Sequence, residues 1–367
     1  MIDACDACLR RAFLVAHLAP RIAGLLDRAA PRIPGLLALP DDAFVAAVAG
    51  KDREGAWAFL DGFEVDWARE ALERFQVMAL CRHAGEYPAA VQELADAPAV
   101  LFGLGAMDAL RALRDEPAVT VVGSRRASPY GTEVAYALGR GLGAAGVPVV
   151  SGLAVGIDGT AHRGCLDASG VTVAVLACGP DVVYPHRHIR LHERIQAKGI
   201  VLSELPPGTR PFRWSFPARN RIMAALARMT VVVEAAEPSG SLITADFARD
   251  LGRAVAAVPG RITSSVARGT NGLLRDGAVP VTRTEDVLDE LFGVGVRRAQ
   301  PVREARHEPT DPRQRAVLEA AERYTSIDAI ARELGLTASD IRVALGRLEA
   351  EGWLVRRDLG GWERAAT

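Results

Sequence analysis

Val119-Thr120-Val121-Val122-Gly123-Ser124-Arg125-Arg126-Ala127-Ser128-Pro129-Tyr130-Gly131 decides the fold class. Four β-branched residues in a row suit a strand buried on both faces, where polar alternation is not needed. Gly123 provides the turn, and an amphipathic helical pattern begins near Pro129. Working outward, the same rhythm repeats. Val147-Pro148-Val149-Val150, Val171 to Leu176, Gly199 to Leu202, Val231-Val232-Val233 and Val255 to Val258 are short apolar runs, with helical patterns between most of them. Alternating strands and helices of this kind predict a doubly wound, mostly parallel α/β sheet of Rossmann-like type.

The flanks read differently. Residues 1–100 carry almost no strand signal, and Cys8 to Leu26 and Asp41 to Val48 have apolar residues at helical spacing, so a helical N-terminal region is expected. The Rossmann-like domain is then expected over 101–292. Residues 293–312 are rich in Arg, Pro and Glu and read as a linker. Residues 313–367 give helix candidates at Arg315 to Arg323, Ile327 to Leu334 and Asp340 to Glu351. They end in a hairpin pattern, Trp353-Leu354-Val355-Arg356 with Gly360-Gly361-Trp362. Three helices and a hairpin predict a winged helix. Arg313 to Arg364 holds nine arginines against nine acids. A duplex reader should be basic on its contact face, so this balance favours protein interaction over DNA for the module.

Charge over all 367 residues nets −1, so any sign of a nucleic-acid partner must be local. No apolar run approaches the ~18 residues of a membrane span. The N-terminus lacks the basic start and small-residue cleavage site of a signal peptide. Five cysteines are too few and too odd in number for a disulfide framework. The expected location is the cytoplasm, with no membrane association.

Four segments carry chemistry. The turn Gly123-Ser124-Arg125-Arg126-Ala127-Ser128 joins a strand to a helix N-terminus, where backbone N–H groups and the helix dipole favour an anion. It is not G-x-G-x-x-G, and no ribose-binding acid ends the second strand, so no dinucleotide cofactor is expected. Arg125 suits a phosphate held by a guanidinium fork, and a plain tight turn with a surface arginine reads equally well. In Ser151-Gly152-Leu153-Ala154-Val155-Gly156-Ile157-Asp158, small residues would let a ligand backbone come close. Asp158 and His162 lie one turn apart; a helix cap and a structural histidine fit them better than an acid/base pair, because no nucleophile accompanies them.

Between Leu205 and Val233 stand five arginines, among them Arg213, Arg219 and Arg221, and no acid. Phe212, Trp214 and Phe216 are interleaved with them. Arginines following phosphates and aromatics stacking bases make a single-strand binder, although packing should claim one or two of the aromatics. Ser239-Gly240-Ser241 at a helix start, with Thr244 one turn in, makes another N–H and hydroxyl cradle. At the carboxyl ends of parallel strands, such turns converge on one crevice.

G-S-R-x-x-S-x-Y-G at 123–131, S-G-L-A-x-G-I-D-x-x-A-H at 151–162, C-G-x-D-x-x-Y-P at 178–185, S-E-x-P-x-G at 203–208, F-P-x-R-N-R-I at 216–222, E-A-x-x-x-S-G-S-L-I-T-A at 234–245, and P-G-R with G-T-N-x-L-L-x-x-G-A at 259–278 occur in this order. The set resembles the DNA-processing protein A (DprA/Smf) family over nearly the whole α/β region. The resemblance implies a non-enzymatic protein that binds and protects incoming single-stranded DNA and loads RecA recombinase on it in natural transformation and recombination. It further implies a homodimer formed through the Rossmann-like domain. The implied DNA contacts are Gly123, Ser124, Arg125, Ser128, Arg219, Asn220, Arg221, Ser239, Gly240 and Ser241. The residue reading adds Ser151, Gly152, Arg213 and Thr244. Where family members carry lysine this chain has arginine almost throughout, with only Lys51 and Lys198 present.

Two further points stand beside this reading. Cys5-x-x-Cys8, with Cys81 and His83, has zinc-ligand chemistry if the fold unites the residues. Cysteines in apolar helices are more often core, and no metal is assigned. The alternative function is a LOG-type nucleotide phosphoribohydrolase. That family's loop carries a catalytic Glu after the Thr, whereas Thr244 is followed by Ala245 and Asp246. A ligand-sensing winged-helix regulator is disfavoured by the neutral tail.

Overall fold

The computed structural model describes residues 1–26, 33–299, 311–350, 353–356 and 361–364. The chain divides into two compact units, one up to Gln300 and one from Pro301. The first is built on a ten-stranded sheet. Its strands are β1 (Ile2–Asp3), β2 (Met78–Cys81), β3 (Val100–Gly105), β4 (Val119–Val122), β5 (Val149–Ser151), β6 (Thr172–Val175), β7 (Ile200–Ser203), β8 (Met229–Val232), β9 (Ala254–Ala257) and β10 (Val279–Pro280). Their spatial order is β1-β2-β3-β7-β6-β5-β4-β8-β9-β10. From β7 to β10 every pairing is parallel; β3 is antiparallel to both of its neighbours.

Side-chain alternation supplies two apolar layers. Val119, Val121, Met229 and Val231 face one layer, with Ala135, Leu138 and Leu142 of the helix Pro129–Ala144 and Ile157, Ala161 and Cys165 of the helix Ile157–Asp167. Val122, Val173, Val175 and Val232 face the other, with Ile222, Met223 and Ala225 of the helix Ser215–Leu226. Thr120, the one polar residue of β4, also points to this second side and donates its hydroxyl to the Met223 carbonyl at 2.8 Å. The first two helices pack backbone to backbone. A Cβ at Gly139 would stand 2.2 Å from the Ala161 carbonyl, and one at Gly164 2.2 Å from that of Tyr136. Only glycine fits such an approach.

The expectation of a first hundred residues nearly free of strands is corrected. The helices Asp6–Leu26 and Asp41–Val48 are present as read, but β1, β2 and the start of β3 extend the sheet into this region. β1 is too short to show a period, and Met78-Ala79-Leu80-Cys81 has no β-branched residue, so neither carries a strand signal. The tract expected as a linker is partly docked: Arg297 pairs with Glu116 and lies 4.0 Å from the Phe292 ring centroid. Its residues 300–310 lie outside the described ones.

The second unit holds the helices Pro312–Arg323, Ile327–Leu334 and Ala338–Ala350, followed by the antiparallel pair Leu354–Arg356 and Trp362–Arg364. Ser326 caps the second helix by accepting from the Ala329 N–H, and Gly335 closes it at φ 64°. Val317, Leu318, Ile330, Ile341, Leu345, Leu348 and Leu354 form its core. This is the winged helix expected from the pattern.

Candidate nucleic-acid interface

β4 pairs with β5 on one side and β8 on the other, so the chain reverses its winding direction there. Loops leaving neighbouring strands diverge at such a point and open a crevice at the carboxyl ends. The crevice present is about 770 Å³. Its walls are the turn Gly123–Arg126, Ala154 and Asp158, one face of the helix Ser215–Leu226, and Ser239–Ser241 with Ile243 and Thr244.

The helix face explains which arginine serves the crevice. Phe216, Pro217, Arg219, Asn220 and Met223 line it. Arg221 is two residues from Arg219, hence on the other side of the helix. It is 1% exposed, 2.6 Å from Asp96 through Nε and bonded to both Glu204 oxygens at 2.8 and 2.9 Å. Burial would lower its pKa, but Glu204 and Asp96 outweigh that and hold it above the usual arginine value. Arg221 therefore cross-links the fold, and its expected DNA contact is not part of the crevice.

Arg219 is also buried but borders the crevice. It donates to the Gly152 carbonyl and, at 2.6 Å, to the Val175 carbonyl, and lies 3.9 Å from Asp158. Burial lowers its pKa and Asp158 opposes that; burial raises the Asp158 pKa and Arg219 opposes it. Its Nε has no hydrogen-bond partner. Arg125 is exposed instead, its guanidinium 4.8 Å over the Phe216 ring, while Arg219 lies 6.0 Å from the same centroid. The Tyr184 ring is 5.6 Å from Phe216. An aromatic pair flanked by two guanidinium groups is a stacking platform beside fixed positive charge.

The opposite wall is the start of the helix Gly240–Asp250. Ser239 caps it, accepting from the Ser241 N–H, and its hydroxyl meets that of Ser241 at 2.8 Å. Asn220 reaches across to donate to the Gly240 carbonyl at 3.1 Å. Thr244 Oγ1, on the crevice wall, is buried without a partner. An unmet hydroxyl beside a helix N-terminus suits an anionic oxygen.

Several expected contacts lie elsewhere. The Ser128 hydroxyl accepts from the Gly131 N–H and donates to Glu234 at 2.5 Å, capping the helix Pro129–Ala144 beside a different hollow. With the Glu234 carboxylate already on its first turn, that helix end is neutralised from within. The Ser151 hydroxyl is buried against the Val121 carbonyl. Gly152 lines a small recess next to the crevice, with Tyr184 and Pro185. Arg213 is exposed and off the crevice lining. Of the three interleaved aromatics, Trp214 is fully buried and donates to the Ala19 carbonyl, and Phe212 packs against the same core. His162 is buried on Thr172 at 2.7 Å rather than set for acid/base work. Sequence reasoning did not assign Tyr184, Ser265 or Val266. The Y-P pair of the 178–185 motif was the available signal for Tyr184; Ser265 and Val266 had none.

Fold and site together define a Rossmann-like protein with a crevice of arginine, aromatic and hydroxyl side chains at the carboxyl ends of its parallel strands. The family model for DNA recombination-mediator protein A matches residues 78–292, and that for the DprA winged helix domain matches residues 301–358. The chain belongs to the DNA recombination-mediator protein A family. The protein Smf of Escherichia coli is 35% identical over 275 residues, covering 73% of this chain and 72% of the relative. The DNA processing protein DprA of Streptococcus pneumoniae is 44% identical over 56% of this chain and 71% of its own. The S. pneumoniae DprA crystal structure superposes with a TM-score of 0.62 at 32% identity, over 78% of this chain and 96% of that one. A Helicobacter pylori DprA structure, described for its single-stranded DNA binding mode, gives 0.53 at 30% identity over 59% and 96%. No helix among the described residues is long and apolar enough to cross a membrane.

Proposed function

We propose that this protein binds and protects single-stranded DNA in the β4/β8 crevice and delivers it to RecA recombinase during transformation and recombination. It acts in the cytoplasm without catalysing a reaction, as a homodimer formed through the Rossmann-like unit. The observation that carries the reading is Arg125 over Phe216, with Tyr184 in the adjoining recess, in one crevice with the capped start of the helix Gly240–Asp250, whose first turn has no acid. Bases stack on one wall while phosphates meet N–H and hydroxyl groups on the other. The DNA contacts are Gly123, Ser124, Arg125, Phe216, Arg219, Asn220, Ser239, Gly240, Ser241 and Thr244. The H. pylori relative's single-strand binding supports the assignment.

The test is fluorescence anisotropy with oligo-dT and a matched duplex across a salt series, followed by RecA ATPase on the same strand. Single-strand preference that weakens with salt, and faster RecA activation in the protein's presence, are expected. Equal affinity for duplex, or hydrolysis of a nucleoside monophosphate, would replace this reading with another.

A further inference from the structure

The far edge of the sheet holds a group of side chains that the crevice does not use. β1 and β2 pair in parallel, Ile2 with Ala79 and Asp3 with Leu80. Parallel strands leave the sheet on the same side, so Cys5 at the start of the helix Asp6–Leu26 and Cys81 at the end of β2 emerge together. Cys8 follows one helical turn after Cys5, and His83 two residues after Cys81. The four ligand atoms all lie within 4.8 Å of one another. His83 Nδ1 is 3.5 Å from Cys5 Sγ, 3.5 Å from Cys8 Sγ and 3.9 Å from Cys81 Sγ. A tetrahedral zinc ion with its usual bond lengths sets sulfur and nitrogen ligands about 3.6 Å apart. We propose that Cys5, Cys8, Cys81 and His83 form a structural zinc site that fastens the N-terminal helix to the sheet edge.

Three thiols and one imidazole are the donor set of a closed zinc site, with no position left for substrate. A disulfide would engage only two of the sulfurs and would leave the convergence of the third, and of the imidazole, unexplained. Cys8 and Cys81 are each 3% exposed, while Cys5 and His83 reach solvent and give a metal its way in. The site would add to the apolar packing of the helix Asp6–Leu26, which already buries Leu9, Phe13, Leu14, Leu18 and Ile22. Binding releases the thiol protons to solvent and changes no oxidation state. Cys5 and Cys8 lie outside the matched family region of residues 78–292, so that match does not bring the cluster with it.

The full chain, purified under reducing conditions without chelator, is expected to carry about one zinc ion per molecule by mass spectrometry, as four protein ligands require. Cobalt(II) exchange should give the visible bands of a tetrahedral thiolate complex. Cys5→Ser and Cys81→Ser should each lose the zinc; Cys178→Ser, a buried cysteine of a different core, should keep it. Chelation of the unmodified protein should lower its melting temperature, a readout that needs no variant to fold. Absence of zinc with no cobalt spectrum would overturn the proposal. So would a Cys5–Cys8 disulfide by thiol counting, iron in place of zinc, or zinc retained in the Cys81→Ser chain.

Discussion

The Ser128 hydroxyl donates to the Glu234 carboxylate at 2.5 Å, and the Ser128 N–H donates to its other oxygen at 2.9 Å. The first strand–turn–helix unit therefore spends its helix N-terminus on an internal acid. Ser128→Ala should cost about 1 kcal/mol of stability, the usual worth of a helix cap, and leave oligo-dT affinity nearly unchanged. Chemical denaturation and anisotropy on one preparation check both halves. A large affinity loss at unchanged stability would return Ser128 to the binding site.

Arg125 and Arg221 should separate cleanly. Arg125→Ala removes an exposed cation stacked over Phe216. It should weaken single-strand binding by about tenfold and flatten the log–log salt dependence by roughly 0.7, the value for one phosphate contact. Arg221→Ala leaves Asp96 and Glu204 buried and unpaired, at a cost of about 3–5 kcal/mol. Its defect should appear in the melting curve before it appears in DNA binding.

Thr244→Val keeps the shape and deletes a buried hydroxyl that has no partner in the free protein. Stability should hold or rise, since an unmet polar group is removed. Affinity for single strands should fall severalfold if, as proposed, the same hydroxyl meets a phosphate oxygen. A variant that gains stability and keeps full affinity would show Thr244 to be a spectator.

Acid should loosen the Rossmann-like unit through its buried histidines. Burial lowers the His162 pKa from 6.5 to about 3, and burial also lowers those of His188 and His192. Between pH 6.5 and 3 the unfolded chain holds the His162 proton and the folded chain does not. Stability is thus full above pH 6.5 and falls as pH drops, by up to about 1.4 kcal/mol per pH unit for such a group. Melting temperatures from pH 7 to 5 should show the decline, and His162→Gln should make it shallower.

The strands from β4 to β9 were legible because each is a short apolar run beside a glycine turn or a helical pattern. Their pairing into one crevice followed from the winding rule. The arginine-rich stretch was legible as a charge count but not as directions. Arg219 and Arg221 look alike in a linear reading, yet they sit on different sides of one helix. The partners of Arg221, Asp96 and Glu204, come from distant loops and no spacing announces them. Trp214 reads as a base-stacking residue until the helix Asp6–Leu26 is seen to cover it. The cysteine cluster was legible as four candidate ligands but not as one site, because only a parallel pairing of two residues brings its halves together.

The crevice walls come from five stretches, near residues 123, 154, 216, 240 and 265, which meet only after β4, β5, β8 and β9 have paired. No stretch alone is a partial receptor, so no cleaved fragment should retain a fraction of the affinity. On the proposed reading recognition would be all-or-none with folding, and the linkage would run both ways. A strand bound at a hundred times its dissociation constant would add about 2.7 kcal/mol to the stability of the entire sheet. The nucleic acid would then be a structural component of the protein that holds it.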